Sequence, residues 1–185
     1  MSLIPSGRAL LDSENLLGEA GLALDMHYAD FGAGTLGHFV LPAAQIVGPL
    51  GQVYAVDILK SALQSIQSRA QLEGLTNLKI VWGDFERPLG VTIPPNTLHL
   101  ISFVNVGHAL LKSGAAFKEA QRLLRPNGRL LIIDWQPNAH AIIVPNEKRL
   151  PSKEIESQAV SENFQLMKRF VAGSQHWGLL FQKRS

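Results

Sequence analysis

Five short apolar runs are spaced along the chain: MHYADF (26–31), QVYAVDI (52–58), LKIVWGD (78–84), TLHLISFVNV (97–106) and GRLLIIDW (128–135). Each is rich in β-branched or aromatic residues and bounded by Gly, Pro, Asn or Asp, which predicts a strand. Several carry apolar residues on consecutive positions, as strands buried on both faces of a parallel sheet do. Between them apolar residues recur at helical spacing: Leu59, Leu63, Ile66 and Ala70 form one stripe, and Ala116, Ala120, Leu123 and Leu124 another. The second of these helices is expected to end at Arg125-Pro126-Asn127-Gly128, because proline cannot extend the hydrogen-bond ladder and Asn-Gly makes a turn. Pro42 is expected to kink the first crossover helix. Strand-helix alternation over 26–135 predicts a doubly wound, mostly parallel α/β sheet with right-handed crossovers.

After Trp135 the pattern changes to a polar loop (136–151), a short helix (152–162) and two further strands, FQLMKRFVAG (164–173) and QHWGLLFQKR (175–184). A tight Gly-Ser turn between them predicts an antiparallel hairpin. Residues 1–25 read as an N-terminal helical lid in which Leu10, Leu11, Leu16 and Leu17 pack on the sheet while Arg8 stays at the surface. With 185 residues the chain suits one core, so 1–185 reads as a single domain: lid, α/β core (26–135) and closing segment (136–185).

Composition narrows the chemistry. Apolar residues are 46% and charged residues 17%, which excludes a disordered chain. No apolar run reaches the ~18 to 20 residues of a membrane span and the amino terminus lacks a secretion-signal pattern, so a cytoplasmic protein is expected. With no cysteine there is no disulfide, thiolate metal site or cysteine nucleophile, and no metal site is read elsewhere. The net charge of +2 and the wide separation of the Lys-Arg pairs at 148/149, 168/169 and 183/184 argue against nucleic acid.

The candidate chemistry lies in YADFGAGTLGHF, where a strand runs into Asp30, Gly32, Gly34 and Gly37 and then a helix. Glycines let the backbone turn sharply and let a ligand approach where a Cβ would collide. Read literally, this is GxGxxG, with Asp57 placed after the second strand to hold ribose hydroxyls. Some adenosine-containing cofactor is therefore expected. A diphosphate beside Asp30 would be repelled, by ~4 kcal/mol for unit charges 4 Å apart at an effective dielectric of 20. S-adenosylmethionine carries an ammonium and a sulfonium and no phosphate, so carboxylates at 30 and 84 favour it. An NAD(P) oxidoreductase and a noncatalytic cofactor-binding module remain as alternatives.

From these residues onward the chain resembles class I S-adenosylmethionine-dependent methyltransferases, particularly the ubiquinone/menaquinone-biosynthesis group. DFGAG (30–34) is similar to the family's glycine motif, VYAVDI to its acidic second strand, VWGDFE to its third strand end and RLLRPNGRLLIID to its fifth-strand signature. Leu36 stands where the family usually has its third glycine. The resemblance implies that Asp30, Phe31, Gly32, Ala33 and Gly34 frame the methionine moiety and Asp57 the ribose. Ile58 would pack on adenine, Asp84 would meet its amino group with Gly83 and Phe85 beside it in the cofactor site, and Asn105 would lie near the sulfonium and acceptor. It also implies a Rossmann-like, seven-stranded sheet with a reversed last strand.

For the acceptor, His108 follows the fourth strand, at the carboxyl end where ligands of such sheets bind, and is the candidate general base. Asp134 and Trp135 could wall the acceptor pocket; His176 and Trp177 could reach it or anchor the hairpin. His38 supports no assignment. A small-molecule acceptor is expected, since no Asn-Pro-Pro-Tyr element for nucleic-acid bases occurs. The short lid leaves room for a second subunit to complete the pocket.

Overall fold

The computed structural model describes residues 11–112, 114–137 and 149–184. The elements run α1 (Ser13–Glu19), β1 (His27–Phe31), α2 (Val40–Val47), β2 (Gln52–Asp57), α3 (Lys60–Leu72), β3 (Leu78–Trp82) and β4 (Leu98–Val104). They continue with α4 (Gly107–Leu110), α5 (Ala115–Leu123), β5 (Leu124–Trp135), α6 (Ser152–Ser161), β6 (Phe164–Gly173) and β7 (His176–Lys183). The strands form one seven-stranded sheet in the order β3-β2-β1-β4-β5-β7-β6. β1 to β5 pair in parallel, and β7 pairs antiparallel with both β5 and β6. The expected α/β sheet and reversed hairpin are both present.

Successive strand side chains point to opposite faces, so consecutive apolar residues feed two cores. One holds Phe31, Phe103, Ile132 and Phe181 beneath α5 and α6, through Phe117, Leu123 and Ile155. The other holds Tyr28, Ala55, Leu100 and Ile133 beneath α1, α2 and α3, through Leu17, Val47 and Ile66. Leu11, Leu16 and Leu17 are buried as expected, while Arg8 and Leu10 lie outside the described residues. Asn77 fixes the end of α2, its Nδ2 donating to the carbonyls of Ala44 at 2.8 Å and Gly48 at 2.7 Å.

Four local expectations need correction. Pro42 is the third residue of α2, within the first turn, where a missing N–H breaks no internal hydrogen bond; it starts the helix rather than kinking its interior. Leu124 is already strand, and Arg125 to Gly128 form an irregularity in β5, between the Leu98–Leu124 and Leu100–Arg129 pairs, with Asn127 at φ 61°. Leu59 precedes α3 and is exposed, so only Leu63, Ile66 and Ala70 of that stripe are buried. The hairpin turns at Ser174 and Gln175, one residue later than expected, with Gly173 paired to His176. Among the described residues no helix is long and apolar enough to cross a membrane.

Candidate active site

The strand order reverses between β1, which continues to β2 and β3, and β4, which continues to β5, and ligands of open α/β sheets bind outside the carboxyl ends at such a switch point. There a cavity of about 130 Å³ is lined by Leu11, Asp30, Gly32, Ala33, His38, Phe39, Val104 and Asn105. Typical small-molecule pockets start near ~300 Å³, so this cavity is too small for a whole adenosine-bearing ligand. His38 closes it, its Nε2 lying 2.9 Å from the Leu11 carbonyl.

The glycine loop is held from behind. Gly32 and Ala33 both donate to the Val56 carbonyl, at 2.8 and 3.1 Å, and Gly34 N–H donates to Asp57 Oδ2 at 3.0 Å. Three successive amide N–H groups are thus committed to protein acceptors. Gly34 has φ +63° and nothing within 4 Å of where a Cβ would stand, so a ligand can approach its backbone. Gly37, at φ +61°, would place a Cβ 3.2 to 3.3 Å from Val40, Leu41 and Ile66. The glycine needed for close helix packing therefore falls at 37, and Leu36 is exposed at the surface.

Asp30, the penultimate residue of β1, lies opposite Ser102 of β4. It is only 3% exposed, and its Oδ1 accepts a hydrogen bond from Ser102 Oγ at 2.5 Å. Burial pushes its carboxyl up to about 7, the Ser102 bond pulls it down and the negative charge of Asp57 raises it further. The negative charge counted at this position is therefore one that titrates near neutrality. Asp57 uses both oxygens, Oδ2 toward Gly34 and Oδ1 accepting from Leu59 N–H at 2.9 Å, so it braces the loop and the start of α3 together.

The adenine-side candidates are more dispersed. Ile58 is 54% exposed and its carbonyl accepts from Trp82 Nε1 at 2.9 Å. Asp84 accepts from Glu86 N–H at 3.0 Å and pairs with the largely exposed Arg87 at 3.0 Å, a contact that contributes little in water. Gly83 is packed against the 90–91 backbone, where a Cβ would meet the Gly90 carbonyl at 2.8 Å. Phe31 and Phe85 stack at 5.6 Å and both meet Phe103 edge-on at 5.3 Å, so these rings belong to the core cluster. Phe31 reaches the loop through its backbone.

On the acceptor side Asn105 is exposed in the left-handed region, φ 58°, with its N–H on the Ile133 carbonyl. Asp134 is buried and accepts from Gly107 N–H at 2.6 Å and from Trp135 N–H at 2.7 Å. Burial raises its carboxyl, the two amide bonds pull it down, and the nearby His108 lowers it further. His108 itself is exposed. Trp177 anchors the hairpin, donating to the Leu150 carbonyl at 3.1 Å. His176 is 1% exposed, its ring centroid 4.1 Å from that of Trp135, and neither ring nitrogen has a partner among the described residues. Desolvation lowers it to about 4. Ser102 and Tyr28, which abut Asp30, were not singled out from sequence because both lie inside strands that read as core. No metal-holding group of three or more His, Cys, Asp or Glu occurs among the described residues.

A family model described as a methyltransferase domain matches residues 23–184. The chain belongs to that family. It is similar to a ubiquinone/menaquinone biosynthesis C-methyltransferase of Hahella chejuensis, 29% identical over 112 residues, covering 60% of this chain and 44% of the relative. It is also similar to a demethylmenaquinone methyltransferase of Geobacillus, 26% identical over 99 residues, covering 52% of this chain and 40% of the relative. The chain thus spans under half the length of these two relatives. A S-adenosylmethionine-dependent methyltransferase of Aquifex aeolicus has the same fold, with a TM-score of 0.88 at 24% identity, over 96% of this chain and 93% of that one. The [4+2]-cyclase SpnF shares it too, with a TM-score of 0.78 at 13% identity, over 93% of this chain and 79% of that one. The fold alone therefore does not fix the reaction.

Proposed function

We propose that this chain transfers the methyl group of S-adenosylmethionine to a small organic acceptor by in-line displacement. The observation that carries this reading is the glycine loop: its Gly32, Ala33 and Gly34 N–H groups are already taken, and carboxylates stand where a diphosphate would need donors. A cationic, phosphate-free ligand suits that arrangement, and an NAD(P) oxidoreductase does not.

Asp30 and Asn105 would hold the methionine end beside the cavity, with the backbone of Gly32 to Gly34 beneath it. Asp57 has lone pairs left for ribose hydroxyls beyond its bonds to Gly34 and Leu59. The exposed Ile58 offers an apolar surface for adenine, and Asp84 can accept from its amino group once Arg87 swings away. When bound, the cofactor supplies an electrophilic methyl on a sulfonium. The protein's part is to align acceptor, methyl and sulfur, and well-oriented reactions gain effective molarities of ~10⁵ to 10⁸ M. His108, exposed near Asp134, is the group available to take a proton from an acceptor that begins protonated. Because the two relatives named above are a quinone-biosynthesis C-methyltransferase and a demethylmenaquinone methyltransferase, electron-rich phenols and quinols are the acceptor class to test first.

The test is methyl transfer from radiolabelled S-adenosylmethionine to a panel of phenols, quinols, amines and thiols. Labelled product with at least one of them is expected. Cofactor binding without transfer to any would favour a noncatalytic binding module.

A further inference from the structure

Behind the cavity lies a chain of hydroxyls that methyl transfer itself does not use. Tyr28 and Asp30 share a face of β1, two residues apart, and Ser102 faces them from β4. The Tyr28 hydroxyl lies 2.5 Å from Ser102 Oγ, and Ser102 Oγ donates to Asp30 Oδ1 at 2.5 Å. Tyr28 and Ser102 are both fully buried and Asp30 nearly so. We propose that Tyr28 and Ser102 are positioning residues that hold Asp30 as a carboxylate for the cofactor's α-ammonium, so that cofactor capture is switched by the ionisation of Asp30. The inference rests on the methyltransferase reading and adds to it a pH dependence and two residues outside the motifs.

The chemistry is directional. An ionised carboxylate only accepts, so Ser102 must spend its one proton on Asp30, and its oxygen is then free to accept from Tyr28. Burial keeps Tyr28 protonated by raising its phenol well above the ordinary range, helped by the charge of Asp30. The tyrosine is therefore a fixed donor that polarises the serine toward the aspartate. A protonated Asp30 would itself be a donor, Ser102 could turn toward Tyr28, and the cavity would lose its negative charge. Few other groups compete. Asp57 at the end of β2 acts on Asp30 through its charge, and His38 lines the same cavity. β4 presents the uncharged Ser102, and α2 carries no ionisable side chain.

The test is calorimetric titration of the folded protein with S-adenosylhomocysteine, which retains the α-ammonium, between pH 6 and 8. With Asp30 titrating at about 7, affinity of the wild type should improve about tenfold across this range. Ser102→Ala removes a hydrogen bond to the charged form and should move the midpoint up by about one unit, weakening binding at pH 7 about fivefold. Tyr28→Phe deletes a single oxygen, keeps the ring in the core and should shift the midpoint less, in the same direction. Ser102→Thr, which keeps the hydroxyl, should restore the wild-type profile. If Ser102→Ala does not fold, Tyr28→Phe and Ser102→Thr decide the matter. Parallel pH profiles for the wild type and the hydroxyl-deleted variants overturn the relay while leaving the cofactor reading intact. Absence of wild-type binding at every pH overturns the cofactor reading, and the relay with it.

Discussion

Replacing Asp30 with asparagine should stabilise the free protein at neutral and alkaline pH while removing its grip on the cofactor. The carboxyl is buried and titrates at about 7 in the fold, against about 3.9 in an unfolded chain. Between those values the folded state keeps a proton that the unfolded state has lost, so stability falls as pH rises through the window, by up to about 1.4 kcal/mol per pH unit. Three units amount to a penalty on the order of 4 kcal/mol above pH 7. Asparagine keeps an oxygen for Ser102 but buries an amide whose lost solvation costs about 1 to 3 kcal/mol. The net gain at pH 8 is therefore about 1 to 3 kcal/mol. Urea unfolding of the ligand-free wild type and of Asp30→Asn, from pH 4.5 to 8, measures it, because other titrating groups cancel in the difference. The difference should grow with pH in favour of asparagine, whereas a pH-independent difference would refute the reasoning.

Asp57→Ala loses both the Gly34 and Leu59 contacts and should weaken S-adenosylhomocysteine binding by about 1.5 to 3 kcal/mol, read by calorimetry; an unchanged affinity in a folded variant would remove Asp57 from the site. His108→Ala should lower turnover and leave cofactor affinity nearly intact, and an unaltered rate would make His108 scaffold. His176→Phe relieves two buried, unpartnered ring nitrogens and should raise the unfolding free energy by about 1 kcal/mol or more. Because His176 is held down to about 4, the wild type should lose stability as pH falls from about 6.5 toward 4, while the unfolded chain takes up the proton. The phenylalanine variant should lose less over that range, and parallel acid profiles would show that His176 is not desolvated in solution.

What could be read from sequence was what local pattern encodes. Strands buried on both faces, the glycine loop between strand and helix, Asp57 after the second strand and the closing hairpin all depend on neighbours within a few residues, and all are present. What could not be read depends on contacts across the chain. Asp30 meets Ser102 over 72 residues and Ser102 meets Tyr28 over 74, so neither the relay nor the burial that shifts Asp30 has a local signature. Electrostatic reasoning from sequence counts Asp30 as a full unit charge, and burial makes that charge pH-dependent without changing why a cation suits it. Phe85 illustrates the same limit, since the resemblance puts it beside Asp84 in the cofactor site and only contacts across the chain show its ring packing on Phe31 and Phe103. Pro42 and Leu124 differ from expectation for a simpler reason: each lies within two or three residues of an element boundary, where pattern is least informative.

The most decisive measurement is a crystal structure of the protein with S-adenosylhomocysteine. The ligand's ammonium should lie beside Asp30, its ribose hydroxyls on Asp57 and its adenine over Ile58. A ligand bound away from the glycine loop, or a diphosphate seated on the Gly32 to Gly34 amides, would contradict the methyl-donor assignment.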